Sequence, residues 1–126
     1  TQYLLAVDRN NARVAKLYDS LHPAVLQAIK QVVDAAHAQG KPVSVCGEMA
    51  GDPAAAVLLL GMGIDSLSMA VASIPRIKWM VRTLTRQRAR ELLQRAMQME
   101  HAGSIRLLVE NALENAGLGA LVRAGR

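Results

Sequence analysis

The spacing of apolar residues divides the chain into helical and extended segments. Apolar positions three and four apart predict six helices, at residues 11–20, 23–39, 53–60, 73–81, 86–100 and 104–115. Two short apolar runs, Val43–Cys46 and Ile64–Met69, predict strands. Proline in a first turn and glycine after a last turn mark helix ends, as at Pro23 and Gly40, and Asp52 before Pro53 is a predicted N-cap. A Gly-rich tail is predicted over Gly117–Arg126.

The order helix, strand, helix, strand, helix predicts βα units of a parallel sheet in an α/β fold. Parallel strands are buried on both faces, and a stable sheet normally has more than two of them. The two strands therefore predict either pairing with another chain or a C-terminal fragment of a TIM (β/α)8 barrel. We favour the helix-dominated barrel fragment, because the chain starts at Thr1 without Met in a segment whose pattern indicates structure. On this interpretation residues 1–85 are the last βα units, and residues 86–126 are the C-terminal helices and helical tail.

The composition is that of a globular chain, with 52% hydrophobic and 20% charged residues. Aromatic residues make up only 2%, so aliphatic side chains and methionine must fill the core. The longest apolar runs, such as Ala54–Leu60, are far shorter than the roughly 20 residues of a membrane helix, and we expect neither a membrane partner nor a signal peptide. The single cysteine excludes a disulfide within the chain and favours a cytoplasmic location.

The formal net charge of +5 raises the question of nucleic-acid binding. The excess of positive charge lies between Arg76 and Arg106, a stretch that contains eight basic residues and two acidic ones. Aromatic side chains on which bases could stack are nearly absent, and the basic residues are spread over several helical turns. We therefore expect a solvated helical surface or an ion-pairing face between subunits, and no nucleic-acid partner.

Cys46 has the most specific position of any residue that could carry chemistry. It ends a predicted parallel strand, where barrel enzymes place catalytic groups, and Gly47 lets the following backbone approach a ligand. A free thiol has a pKa of about 8.5, so Cys46 could donate a proton or act as a nucleophile. The nucleophile is the weaker option, because His22 and His37 lie on the preceding helix, where surface or capping roles are expected. The alternative is a small buried side chain.

Arg9 and Glu48 are the other candidates for a ligand-binding role. Arg9 lies in a predicted loop, where it could bind a carboxylate or phosphate with its forked guanidinium or pair with Asp8 on the surface. Glu48 could brace the Gly47–Gly51 loop or bind a ligand. No spacing of His, Cys, Asp and Glu matches a metal site, and Gly61-Met62-Gly63 indicates a helix end.

Three stretches of the chain resemble the C-terminal domain of Enzyme I, the phosphoenolpyruvate–protein phosphotransferase of the bacterial sugar phosphotransferase system. They are Thr1–Arg9, Leu17–Ala24 and the Cys-Gly-Glu-Met-Ala-Gly run within Val45–Gly51, and the likeness continues to about Ala72. Ala116–Arg123 is more similar to the nitrogen-related paralogue. Pyruvate phosphate dikinase and phosphoenolpyruvate synthase share the barrel and a Cys-Gly-Glu loop, and they are the nearest enzyme alternatives.

The resemblance implies a TIM-barrel domain that binds phosphoenolpyruvate and Mg²⁺. Enzymes of this kind transfer the phosphoryl group to their own His and then to a small phosphocarrier protein, and they release pyruvate. Cys46 matches the general acid that protonates the enolpyruvate carbon, and Arg9 matches an arginine that holds the phosphoryl group. Gly47 and Glu48 match the active-site loop, with less defined individual roles.

The resemblance also implies that parts of the active site lie outside this chain. The family's Asn-Asp pair, whose Asp is a metal ligand, would precede Thr1, and the phosphorylated His is absent as well. Phosphoryl transfer depends on positioning and electrostatic stabilisation, so we expect the chain alone to be inactive. The alternative is a non-catalytic dimerisation module, since members of the family dimerise through this domain, and a homodimer is expected in either case.

Overall fold

The computed structural model describes residues 1–123, which form a helix-dominated α/β structure. The helices are α1 (Gln2–Leu5), α2 (Pro23–Ala38), α3 (Glu48–Gly51), α4 (Pro53–Met62), α5 (Ile74–Thr83), α6 (Arg86–Ala96), α7 (Ala102–Asn115) and α8 (Gly119–Arg123). The strands are β1 (Ser44–Cys46) and β2 (Ser66–Ser68), and the 3-10 turns are Ala15–Leu17 and Val71–Ser73. No helix of residues 1–123 is both long enough and apolar enough to cross a membrane.

The two predicted strands are confirmed and pair with each other in parallel. Ser44 lies opposite Ser66 and Cys46 opposite Ser68, in a two-stranded sheet formed by the described residues. Each strand has three residues and is shorter than its apolar run. The barrel to which these strands were assigned stays a prediction.

The local signals at the starts of α2 and α4 are confirmed. The His22 side chain accepts a hydrogen bond from the Ala24 N–H, and Pro23 occupies the first turn of α2. The Asp52 side chain caps α4 in the same way, ahead of Pro53. Each capping side chain satisfies one backbone N–H of the first helical turn, as the sequence pattern indicates.

The predicted helix over Asn11–Ser20 is wrong, since only a 3-10 turn forms there, at Ala15–Leu17. The side chain of Asn11 accepts from the Arg13 N–H at 3.0 Å and that of Asp19 from the Leu21 N–H at 2.9 Å. Such local bonds stabilise turns and compete with the helical hydrogen-bond pattern.

Three further segments differ from their prediction. The Gly47–Gly51 loop is mostly the short helix α3. Helix α4 extends past Leu60 to Met62, and it ends within Gly61-Met62-Gly63 as predicted, with Gly63 as its left-handed C-cap. The predicted tail contains α8, and its last three residues lie outside the described residues.

Helix α4 is the centre of the hydrophobic core. Nine of its ten residues are buried, which is why it is apolar on every side rather than on one stripe. It packs against α5, α6 and α7, and α8 packs on α7. Leu58, Met80, Leu92 and Ile105 are fully buried members of this one cluster, which therefore joins the segments before and after residue 86.

The basic residues between Arg76 and Arg106 lie mainly on the surface. Six of the eight are solvent exposed, and the other two, Arg76 and Arg106, are half-buried. The solvated helical surface predicted from their spacing is thus observed within the described residues.

Candidate functional site

A cavity of about 540 Å³ lies where β1 ends, and it brings together the four candidate residues of the sequence. Arg9, Cys46, Gly47 and Glu48 all line it, although 37 residues separate the first from the second. Its other polar lining comes from Thr1, Tyr18, Ser20 and Asp52. Of these, sequence reasoning gave Asp52 only a capping role, and it assigned Tyr18 and Ser20 no individual role.

Cys46 is the last residue of β1 and is exposed at the cavity. The alternative interpretation, a small buried side chain, is therefore wrong. The free thiol is available to a molecule in the cavity, either as a proton donor or as a nucleophile.

Gly47 makes the turn that connects β1 to α3. Its φ of 93° and ψ of −162° lie in a region that side chains other than glycine rarely adopt. A Cβ atom placed on Gly47 would meet nothing within 4 Å, so the need for glycine is conformational and not a matter of space. The turn brings Glu48 directly after the thiol-bearing strand, at the start of α3.

Arg9 contributes a guanidinium that no acidic group of the described chain pairs with. Its backbone N–H donates to Oε1 of Gln2 at 2.8 Å, which holds the loop against α1. The surface pair with Asp8 does not form, because Oδ1 of Asp8 instead accepts from the Asn10 N–H at 2.9 Å. A guanidinium without a carboxylate partner at a cavity is suited to a phosphoryl or carboxylate group.

A second cavity, of about 800 Å³, lies on the other side of the same loop. Glu48 and Asp52 line both cavities, whereas Arg76, Arg106 and Glu110 line only the second. Neither Arg9 nor Cys46 reaches it. The larger cavity therefore adjoins the candidate site and shares Gly47 and Glu48 with it, but it lacks the guanidinium of Arg9 and the thiol of Cys46.

The histidines take structural roles away from the site. His37 Nε2 lies 2.8 Å from Oδ2 of Asp65, the same oxygen that accepts from the Val43 N–H at 2.7 Å. The hydrogen bond from His37, and then that from Val43, lowers the pKa of the Asp65 carboxyl below its ordinary value. Together with the cap at His22, this excludes both histidines as partners of Cys46 in the cavity.

The described residues do not form a site for Mg²⁺ by themselves. No three or more His, Cys, Asp or Glu side chains of residues 1–123 lie close enough together to hold a metal ion. Mg²⁺ prefers oxygen ligands in near-octahedral geometry, and Glu48 and Asp52 alone do not supply that set.

Comparison with known proteins identifies the group to which the chain belongs. The family model described as PEP-utilising enzyme, PEP-binding domain, matches residues 1–86. The phosphoenolpyruvate-protein phosphotransferase of Haemophilus influenzae is 50% identical over 113 residues, which is 90% of this chain and 20% of that protein.

Two relatives from Escherichia coli are also similar. One, named phosphoenolpyruvate-dependent phosphotransferase system, is 44% identical over 125 residues, covering 99% of this chain and 17% of its own length. A multiphosphoryl transfer protein is 45% identical over 109 residues, 86% of this chain and 13% of its own. The chain spans a fifth or less of these relatives. On the match over residues 1–86, the chain belongs to the family of PEP-utilising enzymes that share the PEP-binding domain.

Proposed function

We propose that this chain supplies one side of the phosphoenolpyruvate site of a phosphoenolpyruvate–protein phosphotransferase of the Enzyme I type. The observation that carries the proposal is the cavity in which the unpaired guanidinium of Arg9 and the exposed thiol of Cys46 occur together. Phosphoenolpyruvate needs both groups: a cation for its phosphoryl oxygens and an acid for its enol carbon. The names of the relatives support the same substrate.

In the proposed reaction Arg9 holds the phosphoryl group and Cys46 supplies a proton. The phosphoryl group leaves for a histidine of the whole protein, and the electron pair of the broken P–O bond stays on the enol oxygen. The resulting enolate takes the proton of the Cys46 thiol at its terminal carbon, which gives pyruvate. Solvent reprotonates the thiolate, which the exposure of Cys46 allows.

Gly47 and Glu48 have a supporting part in this proposal. The positive φ of Gly47 fixes the direction in which the chain leaves Cys46. Glu48 places a carboxylate in the first turn of α3, at the edge shared by the two cavities.

The whole protein is expected to require groups that this chain does not hold. The family resemblance implies Mg²⁺, and its ligands would come from residues other than those described. A small phosphocarrier protein as acceptor, a homodimer and a cytoplasmic location belong to the same proposal. The nitrogen-related branch also stays a proposal, supported by the resemblance of Ala116–Arg123 to that paralogue.

The test is a chimera in which this chain replaces the matching part of the Haemophilus influenzae relative. Turnover of phosphoenolpyruvate is compared between the unaltered chimera, Arg9→Ala and the control Arg13→Ala, which removes an exposed arginine that does not line the cavity. Losing a charged hydrogen bond costs roughly 1.5–3 kcal/mol, so Arg9→Ala should raise the substrate KM about tenfold or more, and Arg13→Ala should not.

Two results would contradict the proposal. A chimera that folds and dimerises but does not turn over phosphoenolpyruvate would favour the non-catalytic dimerisation module. Equal KM values for the Arg9→Ala and unaltered chimeras would show that Arg9 does not bind the substrate and is only a surface residue.

A further inference from the structure

Arg106, on α7, lies near three carboxylates, of which Glu110 is on the same helix and Asp19 and Asp52 are distant in sequence. Its Nη2 lies 3.1 Å from Oδ2 of Asp52 and 3.9 Å from Oδ1 of Asp19, and its Nη1 lies 3.9 Å from Oε1 of Glu110. The side chain is 35% exposed and that of Asp52 29%, so the contact with Asp52 is partly shielded from solvent. Arg106 lies beyond residue 86, where the match to the family model ends.

Asp52 uses its two carboxylate oxygens for two different purposes. Oδ1 accepts from the Ala54 N–H at 3.1 Å and so caps α4, while Oδ2 accepts from Arg106. Asp52 follows α3 directly, and α3 begins one residue after Gly47. Arg106 therefore holds Asp52 at the C-terminal end of the segment Gly47–Asp52. Cys46, which carries the thiol, directly precedes the N-terminal end of that segment.

Asp19 connects the same arginine to the opposite wall of the site. Its Oδ1 accepts from the Leu21 N–H at 2.9 Å, which holds the turn before α2. The residues on either side of it, Tyr18 and Ser20, both line the cavity that contains Arg9 and Cys46. The guanidinium of Arg106 does not line that cavity, but it bonds to Asp52 of one wall and lies 3.9 Å from Asp19, next to the opposite wall.

We infer that Arg106 is a positioning residue through which the C-terminal helices set the geometry of the site at the end of β1. It acts on the site through Asp52 and has no contact with a molecule in the cavity. Its removal should shift the segment from Gly47 to Asp52 and change the surroundings of the Cys46 thiol. Any effect on phosphoenolpyruvate rests on the proposed function, whereas the effect on the thiol does not.

The rate at which a neutral aromatic disulfide modifies Cys46 tests the inference in the unaltered 126-residue chain. Cys46 is the single cysteine, so the rate and its pH profile report on this site alone. The variants are Arg106→Met, which removes the charge, and Asp52→Asn, whose remaining amide oxygen still caps α4. The control is Arg95→Met, on the exposed face of α6 and outside these ion pairs.

Partly exposed ion pairs couple by amounts that correspond to about two- to fivefold in a rate or equilibrium. Arg106→Met and Asp52→Asn should each change the modification rate by about that factor. In the Asp52→Asn chain, Arg106→Met should add nothing further, because its contact with the Asp52 carboxylate is already lost. Arg106→Lys should give an intermediate rate, and Arg95→Met the unaltered one.

Unchanged rates in folded Arg106→Met and Asp52→Asn chains would overturn the inference, and so would additive effects in the double variant. If Arg106→Met does not fold, Asp52→Asn and Arg106→Lys decide the question by the same comparison. In the chimera, Arg106→Met should also raise the KM for phosphoenolpyruvate. A chimera without turnover would count against the proposed function and leave the thiol result standing.

Discussion

Replacement of Gly61 by alanine should destabilise the chain, because at this position α4 approaches the backbone of α6. A Cβ atom on Gly61 would lie 2.5 Å from the Ala89 carbonyl oxygen, 2.9 Å from the Ala89 carbonyl carbon and 3.0 Å from Cβ of Leu93. Two of these atoms belong to the backbone, so no side-chain rotation relieves the clash. Helix α6 must move away from α4 within the buried core.

The magnitude follows from two opposing contributions. An extra methyl group in a packed core costs about 1–3 kcal/mol, and contact with a carbonyl oxygen favours the upper end. Alanine gains at most about 1 kcal/mol over glycine in a helix. The net loss in the free energy of unfolding is therefore about 2 kcal/mol, which corresponds to a fall in Tm of roughly 6–10 °C for a chain of this size.

Urea and thermal unfolding followed by circular dichroism measure this loss. The matched control is Gly103→Ala, since Gly103 also lies in a helix, α7, but a Cβ there meets nothing within 4 Å. Gly103→Ala should leave stability unchanged or raise it by up to about 1 kcal/mol. A Gly61→Ala chain as stable as the unaltered one would refute the close packing of α4 on α6.

Three further predictions concern the thiol, an ion pair and association. Cys46→Ala in the chimera should slow pyruvate release and leave phosphoenolpyruvate binding largely intact. If the Cys46→Ala chimera turns over at the rate of the unaltered chimera, Cys46 is not the proton donor. Asp65→Asn should destabilise the chain at neutral pH, and the difference should vanish in acid. The bonds from His37 and Val43 lower the folded pKa of Asp65 below 3.8, so its contribution is present above that pH and is lost as the pH falls through the folded pKa. Sedimentation at micromolar concentration should show association, because β1 and β2 have open edges; a monomer at that concentration would contradict this.

Helix starts were predictable from the sequence because their signals are local. Asp52-Pro53 and His22-Pro23 each hold a capping side chain and a proline within two residues, and both caps form. The segment Asn11–Ser20 has a helical apolar pattern but forms only a 3-10 turn. Its polar side chains accept hydrogen bonds from backbone N–H groups two residues further on, as Asn11 does from Arg13. In a stretch with few buried residues, hydrogen bonds between side chains and nearby backbone therefore decided the local structure, and the apolar spacing did not.

The site was predictable only in part. Strand-end position and the resemblance singled out Arg9, Cys46, Gly47 and Glu48, and the structure places them around one cavity. The pair between Arg106 and Asp52 spans 54 positions, and no local pattern indicates which acid a surface arginine reaches. The same holds for Gly61, since only the packing of α4 on α6 shows why glycine is needed inside a helix.

The most direct test of the central claim is a crystal of this chain soaked with phosphoenolpyruvate and Mg²⁺, beside a matched crystal soaked with pyruvate. The account predicts density for phosphoenolpyruvate in the cavity at the end of β1, with its phosphoryl group against the guanidinium of Arg9 and its enol carbon facing the thiol of Cys46. Pyruvate lacks the phosphoryl group and has only its carboxylate to offer Arg9, so at the same concentration it should give weaker density there than phosphoenolpyruvate. An empty cavity, or phosphoenolpyruvate bound elsewhere on the chain, would contradict the assignment of this cavity as the substrate site.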